Sequence, residues 1–68
     1  MDNRKLELKA ELSRRGMKYR DLAAHLKDRG FDIGEYGLAR IVAGRWDPPR
    51  DVRQAIADIL GRPTFELF

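Results

Sequence analysis

Glycines at positions 16, 30, 44 and 61 cut most of the chain into four runs of 13 to 16 residues, and within each run apolar residues recur three and four apart. That spacing lines one face of a helix, and a glycine just past the last apolar residue is a common helix stop. No stretch alternates apolar with polar residues long enough to make a strand. The chain is therefore predicted to be all-α, a compact four-to-five-helix bundle forming a single domain over residues 1–68.

A chain of 68 residues buries only about 60% of the surface its unfolded form exposes, so the core must be closely packed. With no cysteine and one histidine, neither a disulfide framework nor a zinc site can staple it. No cofactor or metal is expected. An apolar run of membrane-spanning length is missing, and the opening "MDNRKLELKAE" lacks the apolar core of a secretory signal. These features predict a soluble, non-exported, cytoplasmic protein without a membrane partner.

The first helix is expected from about Asn3 to Arg15, with Asp2 as its cap and Leu8 and Leu12 on one face flanked by Leu6. The second runs from Lys18 or Tyr19 to about Arg29 and buries Leu22, Ala23 and Leu26. A turn of Gly30, Phe31 and Asp32 leads to the third, placed over residues 33–43. There Asp32 and Glu35 have the spacing of a capping box, Phe31 and Tyr36 that of a hydrophobic staple, and Leu38, Ile41 and Val42 form the core face. Gly37 inside this helix costs roughly 1 kcal/mol relative to alanine, which a close approach of the backbone to DNA or to the second helix would offset. Asp47 is the expected cap of the fourth helix, Pro48 fits its first position, and Val52, Ala55, Ile56, Ile59 and Leu60 make its apolar stripe. The closing "TFELF" folds Phe65, Leu67 or Phe68 back onto the core.

The chain carries 14 lysines and arginines against 11 acidic residues, a net charge of +3, and the excess is concentrated. Six basic residues face two acids between Arg14 and Arg29, and four arginines face two acids between Arg40 and Arg53. Such clustering suits an anionic partner such as nucleic acid, and equally a solvated helix surface laced with ion pairs.

Three stretches, "RRGMKYRDLAAHL" (14–26), "LARIVAGRWDPP" (38–49) and "VRQAIADILGRPTFELF" (52–68), occur in an order and spacing that resembles the phage-repressor-like, Cro-type (xenobiotic-response-element-type) helix-turn-helix domains of phage and prokaryotic regulators. The resemblance covers Leu8 to Phe68. It departs from the pattern between Leu26 and Leu38, where eleven residues intervene, an excess to be taken up by a longer second helix and a loop holding Phe31. It implies a lambda-repressor-like fold and a sequence-specific DNA-binding transcriptional regulator, a repressor, whose helix 33–43 docks in the major groove of double-stranded DNA.

On that resemblance Glu35, Tyr36, Ala39 and Arg40 are the candidates for base contact, with Arg40 first because a guanidinium can bond guanine O6 and N7 together. Lys18, Tyr19 and Arg20 at the start of the second helix, and Arg45 and Arg50 around Trp46, are the candidates for phosphate contact. Trp46 itself reads as a packing residue or a dimer contact, and His25 as a surface residue. A homodimer is expected, formed at the latest on DNA, through the fourth helix, the Trp46 loop or the C-terminal aromatic turn. Ser13 and His25 lie on different helices without an orienting third group, and no phosphate-binding glycine loop is present, so no catalytic residue is assigned and an enzyme is not expected. The alternative is a helical protein-interaction module, such as an anti-repressor or an antitoxin component, favoured by the lack of Asn, Gln, Ser and Thr in the third helix.

Overall fold

The computed structural model describes residues 4–68. The expected Asp2 cap and the Asn3 start of the first helix lie outside the described residues. Among the described residues five helices follow one another: α1 (Leu6–Arg14), α2 (Tyr19–Asp28), α3 (Glu35–Val42), α4 (Arg50–Leu60) and α5 (Thr64–Leu67). Among the described residues there is no strand, and no helix is long and apolar enough to cross a membrane.

The apolar periodicity assembles one core. Leu8 and Leu12 of α1, Leu22 and Leu26 of α2, Leu38, Ile41 and Val42 of α3, Val52, Ala55, Ile56 and Leu60 of α4, and Leu67 of α5 are all buried. Phe31, Ile33, Trp46 and Phe68 close its edges, so Trp46 is a packing residue here. Of the three candidates in the closing segment, Leu67 enters the core, Phe68 is half-buried and Phe65 is 82% exposed. Lys5 ties α1 to α3, its N–H donating to the Val42 carbonyl at 2.8 Å.

The four helix stops share one geometry. Each glycine takes a positive φ, and its N–H bonds back into the last turn. The residue after it reaches a carbonyl five positions earlier, as Met17 does to Leu12, Phe31 to Leu26, Arg45 to Arg40 and Arg62 to Ala57. This pairing satisfies carbonyls that a helix end leaves open.

Three helix starts differ from expectation. α1 begins at Leu6 with Lys5 as its N-cap, three residues later than the expected start. α3 begins at Glu35 with Gly34 as its N-cap and no side-chain cap, so the Asp32–Glu35 capping box does not form. Nor does the Phe31–Tyr36 staple, since Tyr36 is 78% exposed. The cause lies one element earlier: Phe31 is consumed in closing α2, its N–H on Leu26 and its carbonyl accepting from Ile33 N–H at 3.0 Å. The connection from α2 to α3 is thus six residues, Arg29 to Gly34, instead of three. Likewise α4 begins at Arg50 behind Pro49, without a side-chain cap from Asp47. Pro48 cannot open the helix because the residue before a proline is pushed out of the helical region.

Candidate nucleic-acid interface

Lys18 holds an extended backbone (φ −88°, ψ 163°) ahead of α2, and its N–H donates to the Asp21 carboxylate at 2.9 Å. That bond fixes the first turn of α2 and leaves the Lys18 and Arg20 side chains exposed, while Tyr19 is half-buried against the core. The start of α3 lies beside it. Lys18, Tyr19 and Arg20 from α2 and Glu35, Tyr36 and Ala39 from α3 line a shallow groove of about 410 Å³. A second hollow continues along α3, lined by Tyr36, Ala39, Arg40, Ala43 and Arg45.

The structure therefore brings eight of the nine sequence-derived candidates onto one continuous surface. Arg50 is the exception. It sits with Arg53, Gln54, Thr64, Phe65 and Phe68 around a separate cavity of about 310 Å³ between α4 and α5.

The surface is electrostatically available. Among the described residues, Lys18, Arg20, Arg40 and Arg45 make no ion pair, whereas Arg14, Arg15 and Arg62 do. The start of α3 has no side-chain cap, so no side chain satisfies its first backbone N–H groups. Unpaired cations beside helix N-termini can receive successive anionic oxygens. On the outward face of α3, side chains three and four residues apart form one stripe.

Sequence reasoning missed the role of Glu11, which lies apart from this groove. Glu11 is buried, at 6% exposure, and collects Arg14 Nε at 2.9 Å, Arg15 Nε at 3.6 Å and Arg62 Nη1 at 3.5 Å. Arg62 also bonds Glu66 at 2.6 Å, and Arg15 donates to the Leu60 carbonyl. The Arg14 hydrogen bond, opposed by burial and aided by the charges of Arg14, Arg62 and Arg15, holds the Glu11 carboxyl below its ordinary value of 4.5. Spacings of three and four from Glu11 pointed to Arg14 and Arg15; nothing local pointed to Arg62. Two of the six cations counted between Arg14 and Arg29 are therefore committed to Glu11 and not to the groove. At Gly37, where an approach of DNA or of the second helix is expected from the sequence, a Cβ would lie 2.9 Å from Ile33 Cγ2 and 3.8 Å from Trp46 Cζ3. The close approach expected at this glycine comes from the loop before α3 and from Trp46.

No protein-family model, curated protein or solved structure matched this chain in the three comparisons made.

Proposed function

We propose that the chain is a sequence-specific DNA-binding transcriptional regulator, acting as a repressor in the cytoplasm, that docks α3 in the major groove of double-stranded DNA. One observation carries this reading: the first turns of α2 and α3 share a groove whose cations, Lys18 and Arg20, make no side-chain ion pair among the described residues, and it runs on to Arg40 and Arg45. A major groove about 12 Å wide admits a helix with its side chains. α3 would enter it with Glu35, Tyr36, Ala39 and Arg40 toward the bases. Lys18, Tyr19 and Arg20 would hold one phosphate backbone and Arg45 the other, fixing register without reading sequence. No cofactor or catalytic group is assigned. A single module reaches only a few base pairs, so two copies on half-sites about 34 Å apart would give useful affinity. The steeply crossed pair of a lambda-repressor-like helix-turn-helix is part of this proposal.

The exposed Phe65, beside Arg50 and Arg53 and away from the groove, favours a second reading, a protein-interaction module such as an anti-repressor or antitoxin component. Amide shift mapping separates the two. The labelled chain is titrated with mixed-sequence duplex at about 50 and about 200 mM salt, which brackets the steep range of phosphate-driven binding. Docking of α3 is expected to shift residues 17–21 and 34–45 at the lower salt, with the shifts fading at the higher. Unchanged spectra at both salts would remove the DNA reading and turn attention to the Phe65 face.

A further inference from the structure

We infer that the outward face of α3 reads a pyrimidine 5-methyl group next to a guanine; the inference rests on the DNA-docking reading above and narrows it to a base step. Tyr36, Ala39, Arg40, Ala43 and Arg45 line a single hollow. Tyr36, Arg40 and Ala43 are exposed and Ala39 is half-buried within it. Tyr36 to Ala39, Tyr36 to Arg40 and Ala39 to Ala43 are helical steps of three or four, so their side chains form one stripe.

The chemistry of that stripe is lopsided. Adenine is taken through N6 and N7 by the side-chain amide of Asn or Gln, and α3, "EYGLARIV", has neither. Cytosine N4 needs an acceptor such as a carboxylate, and the helix offers one only at Glu35, its first residue. Within α3, Arg40 alone can make the two parallel bonds to guanine O6 and N7. The rest of the stripe is two alanine methyls and a tyrosine ring, surfaces that match a methyl group.

Only one base-edge feature in the major groove is a methyl group, that on pyrimidine C5. Alanine is short, so the helix backbone can approach closely enough for methyl to meet methyl while the longer Arg40 reaches the neighbouring guanine. The same methyl is offered by thymine and by 5-methylcytosine. Burying one such carbon is worth about 0.8 kcal/mol, or about fourfold in affinity.

The test begins by selecting a preferred duplex from a random library with the intact chain. Each thymine of the selected site is then replaced by deoxyuracil, which deletes the methyl and nothing else, and dissociation constants are measured by fluorescence anisotropy at about 50 and about 200 mM salt, duplexes being compared at the same salt. The expected result is a guanine–thymine step in the selected site and an affinity loss of about fourfold on losing its methyl. In the Ala39→Gly/Ala43→Gly variant the thymine-to-uracil ratio should fall toward one. Because both duplexes are compared on the same protein, a general loss of stability cancels from that ratio. A third duplex carries 5-methylcytosine·guanine in place of the thymine·adenine pair. Retained affinity there, with loss for unmethylated cytosine, assigns the site to the methyl from either source; loss for both assigns it to thymine. If no deoxyuracil replacement changes a binding that still weakens with salt, the inference fails while DNA docking stands. If no duplex is bound at any salt, docking itself fails and takes the inference with it.

Discussion

Gly37 sits inside α3, where glycine gives up roughly 1 kcal/mol of helix propensity relative to alanine. Its neighbours account for it. Ile33 Cγ2 occupies the space a Cβ would need, and a β-branched side chain from a loop held by its own backbone bond to Phe31 has little room to move. Overpacking of this kind costs about 1–3 kcal/mol, which equals or exceeds the propensity gained. Gly37→Ala is therefore expected to leave stability level or lower it by up to about 2 kcal/mol. Combined with Ile33→Ala, the alanine at 37 should become stabilising; a double-mutant cycle by urea unfolding reads that coupling directly. The sequence announces an unusual glycine but not its reason, because its spacing places residue 33 in the helix itself. Only once α3 starts at Glu35 does Ile33 become a loop residue that folds over it.

At the scale of the element, helix ends are far more legible than helix beginnings. A glycine after an apolar run has one common use, and all four stops follow it. Asp32 and Asp47, by contrast, have the spacing of caps but yield to stronger local demands, one to Phe31 closing α2 and the other to consecutive prolines. The start of α3 is consequently left with a glycine N-cap at φ −71° and ψ 174°, a conformation open to any L residue, and a Cβ added there would meet nothing within 4 Å. Gly34→Ser is expected to raise stability by about 0.5–1 kcal/mol, through a cap to the open N–H groups and a less disordered unfolded chain. The gain would appear as a higher urea midpoint with an unchanged slope. The apolar faces of α1 to α4 are equally readable, since periodicity needs no knowledge of partners. Which helix starts share a groove is not: that arrangement depends on the six-residue connection between α2 and α3.

For the molecule as a whole, charge is divided between a tied group and an untied one. Glu11 gathers arginines from α1 and from beyond α4, and the sequence conceals this because Arg62 lies 51 residues away. Its folded-state carboxyl titrates below the ordinary value of 4.5. The stabilisation it provides is therefore complete above the unfolded value and is lost as pH falls through the lowered folded one. Arg62 moves the other way, held above the usual guanidinium range by its hydrogen bond to Glu66, and stays charged throughout. Unfolding midpoints from neutral pH down to about pH 3 should thus fall more steeply for the natural chain than for Glu11→Gln, which starts lower and loses less on acidification. These ties also bear on the order in which the chain assembles. Bringing residue 11 to residue 62 closes a long loop, whose entropic cost is met only when much of the remainder is already in place, whereas α2 can settle on α3 across a short connection. Removing the Arg62 guanidinium in Arg62→Gln should accordingly quicken unfolding and leave the folding rate nearly untouched, visible as a raised unfolding limb of the chevron. The arginine knot would then act as a latch on an already assembled bundle, setting how long the native state lasts and not how soon it forms.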